Sequence, residues 1–159
     1  MADPIQELEH SHAELSTLVL ELAEVLRLAR GGRVPTAVER STFLICLGSL
    51  RDALLQHFAT EEEGLFPFVR DELPDRRNAV DELEASHDTI CGALLRLSYL
   101  ATHVDDAFRT QLPTVLSVFE RFQKAYAMHS QDEIELFRML GLSLTIERRK
   151  KLAELLRGL

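Results

Sequence analysis

Basic residues are in short supply in this 159-residue chain. Eighteen Lys and Arg stand against twenty-six Asp and Glu, with six histidines besides, for a formal charge of -8. That balance disfavours DNA, RNA or an anionic membrane as a main partner. The one basic run, Arg148 to Lys151, is set between Glu147 and Glu154 and reads as a solvated helix surface. No uninterrupted apolar stretch approaches the length that crosses a bilayer. The opening MADPIQELEH has neither the basic start nor the apolar run of a secretion signal. Cysteine is rare too: Cys46 and Cys91 form no CxxC pair and sit among apolar neighbours, as buried reduced thiols do. A cytoplasmic location, with no nucleic-acid and no membrane partner, fits these absences.

Glycines and prolines are few, and their positions divide the chain into helices. Apolar residues from Pro4 to Arg30 recur with a helical period, and GGRVP then breaks the pattern. A second helix is expected from about Thr36 to the ELPD at 72–75, bent or interrupted by Pro67, which lacks the amide proton a helix interior uses. A third runs from Arg76 or Arg77 to about His103. A fourth spans Leu112 to Leu140, with Gly141 as its stop, and an amphipathic tail covers about 144–156. Short linkers make successive long helices antiparallel neighbours. The expected fold is all-α, an up-down-up-down four-helix bundle in one domain of residues 1–159, with its core at about 4–140.

The two halves resemble each other. LEHSHAELSTLVLELA, from Leu8, aligns with LEASHDTICGALLRLS, from Leu83, so that Glu9 matches Glu84 and His12 matches His87. The second and fourth helices carry HFATEEEGLFP and MHSQDEIELF, in which His57 precedes Glu61 by four residues and His129 precedes Glu133 by four. On a helix that spacing puts both side chains on one face, one turn apart. Both pairs fall on apolar stripes, as do His12 and His87, so all four helices aim an imidazole inward and two add a carboxylate.

Burying such a cluster without compensation costs on the order of several kcal/mol per ion. Divalent metal offsets that cost, and mixed nitrogen and oxygen donors suit iron, manganese or zinc better than calcium or magnesium. Four imidazoles, two bridging carboxylates and one bridging oxygen leave about one open position on each of two six-coordinate ions, as a reactive rather than a structural site requires. The expected metal ligands are His12, His57, Glu61, His87, His129 and Glu133. His10 points about 200 degrees away from His12, and His103 lies far beyond His87 along the third helix. Glu62, Glu63 and Asp132 turn toward solvent or an outer role. Glu9 and Glu84 can orient an imidazole or form surface ion pairs, and Tyr126 can donate a hydrogen bond toward the site or simply pack.

Across the four main helices these motifs resemble the hemerythrin-like, or HHE cation-binding, family, most specifically in HFATEEEGLFP from His57. The resemblance implies two non-haem iron ions, with an oxo or hydroxo bridge, spanned by Glu61 and Glu133. It pairs His12 with His57 on one ion and His87 with His129 on the other. Oxygen-carrying hemerythrins have a further histidine where this chain has Cys91, and an HxxxxD pair where it has His129 and Glu133. Cys91 then either approaches the ions or fills the space of that histidine. The resulting four-His, two-Glu set is similar to the di-iron domain of iron–sulfur cluster repair proteins. Those commonly carry a separate cysteine-bearing N-terminal domain, whereas here the first helix begins by about residue 5.

The function expected from this reading is binding or sensing of O2 or NO. Four neutral imidazoles offset less metal charge than a carboxylate-rich shell and so favour reduced iron. The alternatives are a redox enzyme acting on peroxide, NO or O2, including cluster repair, then iron storage, then a structural helical module whose six side chains do not converge. An electron donor and any protein partner are left unidentified.

Overall fold

In the computed structural model, which describes residues 3–103 and 107–159, local capping signals set the helix starts. Asp3 caps α1 (Pro4–Arg30) by accepting from the Ile5 amide at 3.1 Å. The chain then turns through Gly32, whose φ of 82° is a conformation that side-chain-bearing residues resist. Thr36 and Glu39 form a reciprocal capping box at the head of α2 (Ala37–Thr60).

Pro67 acts as anticipated, with its effect displaced upstream. The helix widens into a π turn over Glu61–Leu65 before resuming as α3 (Phe66–Glu72). The Phe66 amide reaches back five residues to the Glu61 carbonyl, so the backbone re-registers ahead of a residue that has no amide proton. A 3-10 turn at Pro74–Arg76 leads into α4 (Arg77–His103). A short α5 (Ala107–Thr110) precedes α6 (Leu112–Ser143), and Thr145 caps α7 (Ile146–Arg157). Gly141 does not stop α6, which continues to Ser143: its amide and carbonyl are as helix-compatible as any, and nothing crowds it.

The long helices form a closed ring in which α1 packs on α2 and α6, and α4 packs on α2 and α6. The result is the all-α bundle expected, with α5 and α7 added. Its interior has two apolar clusters. One, around Leu22, Phe43, Leu50, Leu97, Phe119 and Phe122, fills the end near the α1–α2 connection. The other, around Ile5, Leu65, Phe66, Val80, Phe137 and Leu152, fills the opposite end, with α7 laid across it. No helix among the described residues is long and apolar enough to cross a membrane. Met1 and Ala2, the start of the stretch read for a secretion signal, lie outside the described residues.

Candidate metal centre

Each long helix interrupts its apolar stripe at the same level of the bundle. His12 falls between Leu8 and Leu15, His57 and Glu61 between Leu54 and Leu65, His87 between Leu83 and Ile90, and His129 and Glu133 between Tyr126 and Leu136. The apolar residues on either side of these breaks are buried, so the six polar ones form a layer between the two clusters. Among the described residues, these six are the buried polar or charged side chains.

They converge. His57 Nε2 lies 2.9 Å from Glu133 Oε1 and 3.7 Å from Glu61 Oε1. His87 Nε2 is 3.3 Å from Glu61 Oε2, and His129 Nε2 is 3.3 Å from Glu133 Oε2. Glu61 thus faces histidines of α2 and α4, and Glu133 faces histidines of α1, α2 and α6. Two groups have donor atoms within 4.8 Å of one another: His57, His129 and Glu133, and Glu61, His87 and His129. His12 stands outside both. Its Nε2 is 3.5 Å from Glu133 Oε2, and the Ser130 hydroxyl holds the same nitrogen at 2.8 Å.

The donor set fits a pair of metal ions. Both oxygens of Glu61, Glu133 Oε2, His87 Nε2 and His129 Nε2 are buried with no hydrogen-bond partner. An unsatisfied buried group costs about 1–3 kcal/mol, and more when charged. Five converging on one spot are explained together by cations, which carboxylate oxygens and imidazole nitrogens both ligate.

Electrostatics separates the two carboxylates. Burial pushes the Glu61 carboxyl well above the ordinary range, and the neighbouring Glu133 and Glu62 push it further. Burial also opposes ionisation of Glu133, but the imidazoles of His129, His57 and His12 around it hold it well below that range. Burial lowers His12 and His87 despite their acidic neighbours, so both rings favour the neutral form that ligates metal.

The far nitrogens are held from outside the cluster. Ser11 meets His57 Nδ1 at 3.2 Å, and Ser86 meets His129 Nδ1 at 2.8 Å. The Ser86 hydroxyl proton goes to the Leu83 carbonyl at 2.6 Å, so His129 Nδ1–H is the donor to Ser86 and Nε2 keeps a lone pair toward the centre. His87 Nδ1–H donates to Glu62 Oε1 at 2.6 Å. Sequence reasoning missed the serines, although the signal was present. Ser11 and Ser86 occupy matching places in the aligned LEHSH and LEASH, each immediately before a site histidine. In both halves the serine orients the histidine of the following helix of its pair.

The other candidates sort themselves by position. Glu62 takes the outer role. Glu84 pairs with Arg70, beside Asp81, and Glu9 is exposed, so neither orients a site imidazole. His10 is exposed beside Glu14, and His103 is exposed against Tyr99. Phe58 stacks on His87 with centroids 3.6 Å apart and meets the His129 ring edge-on, walling the centre. Tyr126 lies nearly parallel to His12, its hydroxyl 3.3 Å from Ser16 Oγ, and burial pushes its pKa up to about 12. Cys91 is half-buried against the first apolar cluster. Burial, then the charges of Glu62 and Asp88, push its thiol pKa up, which keeps it protonated.

A family model described as the hemerythrin HHE cation binding domain matches residues 3–140. No curated protein and no solved structure matches the chain significantly.

Proposed function

The chain belongs to the hemerythrin HHE cation-binding family, and from that premise we propose a non-haem di-iron protein that binds or senses O2 or NO at the bundle centre. Residues 1–159 are read as one hemerythrin-like domain. His12, His57, Glu61, His87, His129 and Glu133 are its proposed metal ligands. The observation that carries this reading is the set of five converging, partnerless donor atoms on Glu61, Glu133, His87 and His129.

Iron supplies reversible one-electron chemistry and coordination positions open to a small molecule. The chain supplies the rest. Glu61 and Glu133 place carboxylate oxygens toward histidines of more than one helix, as bridging groups must. Ser11, Ser86 and Glu62 fix the imidazole orientations by holding Nδ1. Phe58 and Phe66 pack on the His87 ring and exclude bulk water from that side. Tyr126 stays a neutral phenol at physiological pH, its ring nearly parallel to His12 and its hydroxyl engaged with Ser16.

The symmetric four-His, two-Glu set also supports a second reading, a redox enzyme acting on peroxide, NO or O2, including iron–sulfur cluster repair. Sustained product formation with an electron donor separates it from a carrier or sensor.

Anaerobic purification, metal counting, and optical spectra before and after adding O2 or NO test the proposal. It requires about two irons per chain and a ligand-dependent charge-transfer band. Folded protein that never holds stoichiometric iron contradicts it.

A further inference from the structure

The buried centre needs a way in. A cavity of about 170 Å³ between α1, α2 and α7 reaches a member of the six-residue cluster. Its lining includes Glu7 and Ser11 of α1, Gln56, His57 and Thr60 of α2, and Leu156 of α7. The larger grooves elsewhere touch none of the six. Two of them end on neighbours of the ligands, Asp88 and Met128 in one, Tyr126 and Ser130 in the other.

We infer that this cavity is the entry route for divalent metal ions, with Glu7 as the first carboxylate met, Leu156 as the side chain that narrows the passage, and His57 as the receiving ligand. The inference rests on the di-metal reading above. Beside the apolar Leu8 and Leu156, the lining offers a carboxylate, two hydroxyls and a side-chain amide near the imidazole. Such groups replace water around a hard cation step by step. An apolar diatomic gas gains nothing from them.

His57 is suited to the inner end. Its Nδ1 is held by Ser11, which also lines the cavity, while its Nε2 faces Glu133 and Glu61. The ring therefore separates cavity from centre, and only one neutral hydrogen bond holds it on the cavity side. His87, by contrast, is held by the carboxylate of Glu62 and stacked on Phe58.

Leu156 is placed by the π turn. Gly64 is the buried position over which α7 lies; a Cβ there would come within 2.6 Å of Leu156 Cδ2 and 3.0 Å of Leu159 Cδ1. The missing side chain lets the C-terminal helix settle against the turn that carries Glu61. Ion pairs from Arg148 and Lys151 to Glu72, and from Arg149 to Asp3, fasten it there. The helix so held forms one wall of the passage.

The test is stopped-flow uptake of Co2+ by the metal-free full chain, followed through loss of colour from a metallochromic indicator. Leu156→Trp and Glu7→Gln are expected to slow uptake about tenfold, and Leu156→Ala to speed it, within the span over which association rates respond to local change. Co2+ bound at equilibrium should equal wild type in all three. Leu155→Ala, on the same helix but outside the cavity, should leave the rate unchanged. Normal stoichiometry with unaltered rates in all three cavity variants overturns the entry route alone. A wild-type chain that takes up no Co2+ overturns the di-metal reading, and the route with it.

Discussion

Glu62 Oε1 accepts from His87 Nδ1 at 2.6 Å, which makes Glu62 the charged member of a set of Nδ1 partners that are otherwise serines. The contact exists because the π turn over Glu61–Leu65 swings Glu61 fully inside while leaving its neighbour half-exposed and able to reach α4. One wide turn thus supplies a buried carboxylate and the carboxylate that orients the opposite imidazole.

Replacing Glu62 by Gln keeps a hydrogen-bond acceptor but removes its charge. Metal affinity, measured by competition with a chelator, should fall about 10–100-fold, the usual cost of losing such a partner. Glu63→Gln, one residue on and exposed, should leave affinity unchanged.

Ser86→Ala removes the acceptor of the buried His129 Nδ1–H. The metal-free protein should lose about 1–3 kcal/mol in a urea titration, the cost of a buried donor left unpaired. Ser98, on the same helix, contacts no site imidazole, and Ser98→Ala should change stability by less than about 0.5 kcal/mol.

Glu61→Gln should change sign with metal. The folded-state pKa of Glu61 lies well above its unfolded value. The stability this contributes is fully present below the unfolded pKa and is lost as pH rises through the folded one. At neutral pH, above the unfolded pKa, the metal-free wild type has begun to lose that contribution while Gln stays neutral, and the Gln variant should melt higher. Its advantage should shrink as pH falls toward the ordinary carboxylate range. With metal present the order should reverse, because a proposed metal ligand is gone. Calorimetry of both forms across pH reads both effects.

Tyr126 should ionise only at about pH 12, seen as a late rise in tyrosinate absorbance that Tyr126→Phe abolishes. Because its folded pKa is raised, the stability it contributes is lost as pH climbs from the ordinary phenol value toward that figure.

Much of the arrangement was readable from spacing. A histidine four residues before a glutamate, twice, on stripes of Leu and Phe, determined which faces met, and the periodicity of Leu8, Leu15, Leu83 and Ile90 placed His12 and His87 at the same depth. The residues that spacing could not rank were those whose role depends on a neighbouring helix. Ser11, Ser86 and Ser130 are ordinary half-buried serines until α2, α6 and α1 bring imidazoles to them. Glu62 was indistinguishable from Glu63 until the π turn separated their directions. Pro67 signalled a disturbance, but not that the backbone would absorb it one turn earlier. Gly141 misled because glycine ends a helix only where the chain then takes a conformation that glycine alone favours, and here α6 continues regularly to Ser143.

Anomalous diffraction at the iron edge, on crystals grown from iron-loaded protein, asks the central question most directly. The account requires two peaks in the layer between the apolar clusters, each within bonding distance of Glu61 or Glu133 and of at least one of His12, His57, His87 and His129. Peaks elsewhere, or iron-loaded crystals whose six side chains enclose no scatterer, would contradict it.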